Sequence, residues 1–189
     1  MNGEAQLKKL IDIQNIIDEL NVKALKKDFL GKLEDYKSME DVLNKRNHTT
    51  DEIEGFWEDV ILNSEFADVF CDEKEDATLD MSWVDTLKVE YREDFKFYVG
   101  IKTKENEYFD NELLEKEFSL FERQDCLKTA IEWRGKEVTD NPLLRFFSSK
   151  DCTDCDDNMN MFHILSDLYV NSVYYYMRCD EEVSDEQQS

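Results

Sequence analysis

Apolar side chains recur at helical spacing from the start of the chain. Leu10, Ile13, Ile17, Leu20 and Ala24 follow one another by 3, 4, 3 and 4 residues, the a/d seam of a coiled coil. Leu25, Phe29, Leu33, Tyr36 and Leu43 continue the stripe after a shift of register, as a stutter would. Residues 4–46 hold no proline and one glycine, Gly31, so the pattern predicts one helix over this span. Such a helix would be on the order of 60 Å long, more than one small core can cover. Its stripe must meet a second copy or an extended partner, unless the segment folds back near Gly31 as a helical hairpin. In the first case Leu10, Ile13, Ile17, Leu20, Ala24, Phe29, Leu33 and Tyr36 are the dimerisation residues.

The pattern then changes. Thr49-Thr50-Asp51-Glu52 has the form of a capping box, followed by a short amphipathic helix with Ile53, Phe56, Trp57, Val60 and Ile61 on one face. Ser64 is placed to cap a further short helix through Cys71. From Leu87 the period becomes two: Leu87, Val89 and Tyr91, then Phe95, Phe97, Val99 and Ile101 beyond Glu93-Asp94, predict an antiparallel hairpin. Leu114, Lys116, Phe118 and Leu120 predict a third strand, and Thr129, Ile131 and Trp133 a fourth. Asn141-Pro142 opens a short helix with Leu143, Leu144, Phe146 and Phe147. An acidic loop, Asp151 to Asn160, precedes a closing helix with Phe162, Leu165, Leu168, Tyr169, Ser172, Tyr175 and Tyr176 on one face. The expected class is α+β: a long N-terminal dimerisation helix, then a four-stranded antiparallel sheet packed on helices. Its parts are a dimerisation helix at 1–46, an α+β domain at 47–178 and a short acidic disordered tail at 179–189.

Charge separates these parts. Residues 1–46 carry nine acidic and nine basic side chains, a balance that suits a helix lying against its own copy. Residues 47–82 carry twelve acidic and one basic, within a total of -23 for the chain. That excess repels phosphate backbones and anionic membranes and attracts cationic partners, so direct nucleic-acid binding is not expected. Aromatic content of 12% is far above that of an acidic disordered chain, and the protein is expected to fold. The first residues lack a signal-peptide pattern and no apolar run is long enough to span a bilayer, which predicts a soluble intracellular protein. Five cysteines, Cys71, Cys126, Cys152, Cys155 and Cys179, are an odd number without framework spacing and predict free thiols.

Catalytic chemistry finds little material here. His48 and His163 are the only histidines, and no phosphate loop, nucleophile elbow or paired metal-ligand histidines occur among five glycines. Cys152-Thr153-Asp154-Cys155 is half of a zinc pattern, but His163 and Cys179 lack the close spacing of a second pair. No cofactor, metal or enzyme activity is expected. The candidate surface is acidic, in three clusters: Asp72, Glu73, Glu75 and Asp76; Asp154, Asp156 and Asp157; and Asp180, Glu181 and Glu182. Each acid alone is most simply solvated surface; only the clusters acting together would bind.

Three motifs occur in one order: Ile53-Glu54-Gly55-Phe56-Trp57; Asn106-Glu107-Tyr108-Phe109-Asp110-Asn111 running into Leu114 and Lys116; and Thr129-Ala130-Ile131-Glu132-Trp133 followed by Gly135-Lys136. With the Phe146-Phe147 pair ahead of the closing helix, the chain resembles the nucleosome assembly protein / SET family of histone chaperones over nearly its whole length. The resemblance implies a headphone-shaped homodimer whose acidic surfaces bind core histones, either or both of the core-histone pairs, and promote nucleosome assembly and disassembly without covalent chemistry, in nucleus and cytoplasm. The other role it implies is a coiled-coil scaffold or regulator such as a phosphatase inhibitor. Two departures stand out: Glu107 occupies the position of the family's proline, and the long acidic tail is reduced to Asp180-Glu181-Glu182 and Asp185-Glu186.

Overall fold

The protein is described here by a computed structural model. It describes residues 2–70, 80–121, 127–138, 141–148 and 155–185, with backbone only for 2–4, 155 and 179–185. Contacts divide the chain into two units, Met1–Met39 and Glu40–Ser189.

The first unit is helix. α1 runs over Asn2–Thr50, 49 residues without a break at Gly31, so the hairpin alternative does not apply. Its stripe is not uniform. Leu10, Ile13, Ile17, Leu20 and Ala24 are exposed, whereas Phe29 and Leu33 are 3% and 5% accessible and Tyr36 is half-buried. Only the N-terminal half of the seam therefore presents bare aliphatic surface; Phe29 and Leu33 have little left to offer a second copy.

The second unit contains the end of α1 and all later elements. Thr49 and Thr50 do not form the expected capping box: both lie in the last turn of α1, where their hydroxyls donate to the carbonyls of Lys45 and Asn47. α2 (Phe56–Leu62) starts instead from Gly55, whose φ of 75° is left-handed and favours glycine. Ile53 consequently stays in the exposed turn, while Phe56, Trp57, Val60 and Ile61 are buried as predicted. Phe56 packs 4.9 Å from Tyr176, and Trp57 stacks on Tyr169 at 6.2 Å. Arg46, at the end of α1, lies over the Tyr169 ring at 4.6 Å and donates to the Tyr169 carbonyl, and Asn47 donates to the Tyr169 hydroxyl at 2.8 Å. These contacts fix the end of α1 to the closing helices. α3 is a single turn, Ala67–Phe70.

The sheet is antiparallel in the order β1-β2-β3-β4, with β1 at Val84–Arg92, β2 at Lys96–Thr103, β3 at Leu113–Ser119 and β4 at Leu127–Lys128. Pairing rows align Leu87, Ile101 and Leu114; Val89, Val99 and Lys116; and Tyr91, Phe97 and Phe118. This inner face receives α5 (Cys155–Val170), whose Phe162 ring lies 5.1 Å from Tyr91, 4.7 Å from Phe97 and 6.1 Å from Phe118. α4 (Pro142–Ser148) adds Phe146, 6.2 Å from Phe118. Asn141 caps α4 as expected, accepting from the amides of Leu143 and Leu144.

Three boundaries differ from expectation. Thr129, Ile131 and Trp133 do not form a strand: β4 is two residues long, and Trp133 makes only an isolated bridge with Phe109. The acidic loop ends earlier than Asn160, because α5 begins at Cys155. The closing helix is two, α5 and α6 (Ser172–Asp185), separated at Asn171, and α6 carries the backbone through Cys179 to Asp185 where a disordered tail was expected.

Lys116 is the fully buried cation of this core. Its ammonium donates to the Phe146 carbonyl and to Asn158 Oδ1, each at 2.6 Å, and lies 4.3 Å from the Phe146 ring. One side chain thus joins β3, α4 and α5. Lys116→Met keeps much of the stem but strands two buried acceptors, and should lower the unfolding free energy in urea by about 3 kcal/mol. Lys116→Met with Asn158→Leu should cost less than the two single changes together. A neutral Lys116→Met would show that the ammonium does not hold these elements.

Candidate interaction surface

The acids predicted from sequence fall into three cases. Asp72, Glu73, Glu75, Asp76 and Asp154 lie outside the described residues. Asp156 and Asp157 are exposed in the first turn of α5, where the helix dipole favours negative charge. Asp180, Glu181 and Glu182 lie on the helical backbone of α6. Among the cysteines only the backbones of Cys155 and Cys179 are described, and His163 is exposed on α5. Among the described residues no group of three metal-ligating side chains forms, and no helix is long and apolar enough to cross a membrane.

The outer face of the sheet carries much charge but neutralises it internally. Glu90 pairs with Lys88 at 2.5 Å and with Arg92 at 2.7 Å; Glu117 pairs with Arg92 at 2.7 Å and Lys96 at 3.1 Å. Burial alone would raise both carboxyls, but the adjoining cations outweigh it and hold Glu90 and Glu117 below the usual range. The Arg92 guanidinium sits 3.6 Å from the Tyr98 ring. Tyr98 folds along the strand to donate to Glu115 at 2.6 Å, and burial together with that bond pushes its phenol upward. Its ring needs Gly100 beneath it, since a Cβ there would stand 2.5 Å from the hydroxyl. A cleft of about 260 Å³ lies over this spot, lined in part by Asn47, Asp51, Lys88, Lys102 and Leu113. Its mixed charge singles out no ligand.

A different surface surrounds the Asn106 to Asn111 turn. Asn106 Oδ1 accepts from the amides of Tyr108 and Phe109 at 2.9 and 3.1 Å, forming the turn despite Glu107 standing in place of proline. Phe109 is thereby buried against Trp83 at 5.4 Å and Trp133 at 6.3 Å. Asn111 then replaces a strand ladder with its side chain, donating to the Ala130 carbonyl at 2.9 Å and accepting from the Glu132 amide at 2.8 Å. Arg134 bonds Asp110 at 2.5 Å and the Asn106 carbonyl at 2.6 Å. With the backbone so held, Glu105, Glu107, Glu112 and Glu132 are exposed and form no ion pair among the described residues. Sequence analysis missed this set because its acids are interleaved with motif residues and never form a run.

Asp80 anchors one side of the turn. It accepts from the Ser82 hydroxyl at 2.6 Å and from the Tyr108 hydroxyl at 3.0 Å. The Ser82 bond, reinforced by Tyr108 and opposed by partial burial, draws the Asp80 carboxyl below its ordinary value. Partial burial and the bond to Asp80 push the Tyr108 phenol up to about 12. A depressed folded pKa gives stability that is full above the unfolded value and is lost as pH falls through the folded one. A raised phenol gives stability that is full below its unfolded value and is lost as pH climbs towards 12. The stability difference between parent and Tyr108→Phe should therefore be largest near neutral pH and shrink at both acid and strongly alkaline pH. Urea titrations across pH would contradict the Asp80–Tyr108 bond if that difference did not vary.

No family model matches the chain. In sequence it is 31% identical over 177 residues to an uncharacterized protein of Encephalitozoon cuniculi, covering 92% of this chain and 94% of that one. It is 28% identical over 214 residues to Protein SET of Drosophila melanogaster, covering 98% and 79%. In fold it is similar to a nucleosome assembly protein of Plasmodium falciparum, with a TM-score of 0.55 at 19% identity over 93% of this chain and 97% of that chain. It is also similar to the Vps75 histone chaperone, with a TM-score of 0.54 at 15% identity over 93% and 98%. Likeness in sequence to Protein SET runs through the same long helix, aromatic helix, sheet and closing helices that the solved structures share in fold, and the chain belongs to the nucleosome assembly protein / SET family.

Proposed function

We propose that this protein is a histone chaperone that binds core histones through acidic surface and promotes nucleosome assembly and disassembly without covalent chemistry. It works in nucleus and cytoplasm and takes either or both core-histone pairs. The observation that carries this reading is the contrast between two surfaces: the outer sheet face has paired its charges, whereas the turn leaves Glu105, Glu107, Glu112 and Glu132 without ion pairs among the described residues. Histones are rich in Lys and Arg, so acids without their own counterions speed encounter and compete with DNA for the same cations.

The active form we propose is a homodimer. Leu10, Ile13, Ile17 and Leu20 are about half or more exposed at heptad spacing, and the zero net charge of residues 1–46 lets like helices approach. With only five acids in its last ten residues, the chain leaves most of the binding to the folded domain and the acids Asp72, Glu73, Glu75, Asp76, Asp154, Asp156 and Asp157 beside the turn set.

The quadruple change Glu105→Gln, Glu107→Gln, Glu112→Gln and Glu132→Gln should weaken binding of recombinant core-histone pairs about tenfold near physiological salt and flatten its salt dependence. Neutralising four acids on α1, Glu19, Glu34, Asp35 and Glu40, should change it far less. Equal losses from both sets would reduce the effect to net charge and sink the assignment to the turn.

A further inference from the structure

The second helix face left bare lies at the other end of the chain. α6 turns one side inward, burying Ser172 and Tyr175 and setting Tyr176 against Phe56. On its other side Val173, Tyr174 and Met177 are 44%, 63% and 59% accessible, and Val170 at the end of α5 adds 39%. These four stand at i, i+3, i+4 and i+7, a stripe about two turns long. Single exposed apolar residues are ordinary on protein surfaces; a contiguous aromatic, thioether and aliphatic stripe on one face is the form of a docking site.

Charge narrows what can dock there. Residues 155–185 contain seven acidic residues and one basic, Arg178. Asp167 stands one turn before Tyr174's neighbour Val170 and binds the Tyr175 hydroxyl at 2.6 Å; the helical backbone then continues from Met177 into Asp180, Glu181 and Glu182. The stripe therefore lies between carboxylates along the helix direction.

We propose that the Val170, Val173, Tyr174 and Met177 face of α6 docks a basic amphipathic helix, its apolar side on this stripe and its Lys or Arg residues reaching the acids before and after it. Tyr174 is the rigid anchor, with two side-chain torsions to order, and Met177 the adaptable one. A second copy of this chain fits less well, because its own α6 would bring a second set of the same acids. The proposal does not depend on the histone reading, since it specifies a pattern of apolar and basic positions rather than a named protein.

The probe is a synthetic Leu/Lys peptide of amphipathic helical pattern, with a scrambled peptide of the same composition as reference, titrated into the full chain near physiological salt. The parent should prefer the patterned peptide by about tenfold, the difference expected from one or two seated apolar side chains. Val173→Ser with Tyr174→Ser and Met177→Gln should abolish that preference while leaving the weak binding of the scrambled peptide, and Met177→Lys alone should remove most of it. Circular dichroism melting of both variants checks that they fold; both substituted sets are exposed, so at least Met177→Lys should. Absence of a preference in the parent, or its survival in the variants, overturns the proposal. So does a drop in the chain's own particle mass on Met177→Lys, which would assign the stripe to a second copy.

Discussion

The folded domain depends on a charge placed where charge is costly. Lys116 enters the sheet on the inward side of β3, in the row with Val89 and Val99, and only the Phe146 carbonyl and the Asn158 amide make that position tolerable. Because the two acceptors come from different helices, the ammonium can be satisfied only when α4 and α5 are both seated. The aromatic cluster of Tyr91, Phe97, Phe118 and Phe162 supplies the apolar driving force around it. Packing by aromatic rings alone tolerates small shifts; a buried ammonium does not, so Lys116 sets which face of the sheet is inside.

The choice of inner face determines the remaining charge. The outer rows bring Glu90, Arg92, Lys96 and Glu117 together, and they neutralise one another. The turn after β2 has no such facing strand. There Asn106 and Asn111 supply the hydrogen bonds that a fourth full strand would have made, so the neighbouring glutamates project without opposing cations. Unpaired acid on a rigid backbone differs from acid in a mobile tail: it keeps its spacing and loses no chain entropy when a cationic partner arrives. That difference makes the domain, in the proposed function, a histone-binding surface despite the short acidic C-terminus.

Much of this architecture is legible in the sequence because periodicity reports burial. The step from spacing three and four to spacing two marks the start of the sheet, and Phe56, Trp57, Phe97 and Phe162 are core residues in both readings. The failures have local causes. Thr49 and Thr50 look like a capping box, but α1 continues through them because Arg46 and Asn47 are already bound to Tyr169. Trp133 looks like a strand residue, yet side-chain bonds of Asn111 take over from the ladder. Lys116 appears as a polar position in a mixed strand, and nothing near it in sequence announces acceptors 30 and 42 residues away. The candidate surface is the least legible part: runs of acid attract attention, whereas Glu105, Glu107, Glu112 and Glu132 become a set only once the turn has folded.

Light scattering of the pure protein, alone and mixed with each core-histone pair at near-physiological and high salt, tests the central claim most directly. The account predicts a dimer that forms a discrete complex with at least one pair and releases it as salt rises. A chain that scatters as a monomer, or a dimer whose mass is unchanged by either pair at both salt concentrations, would contradict it.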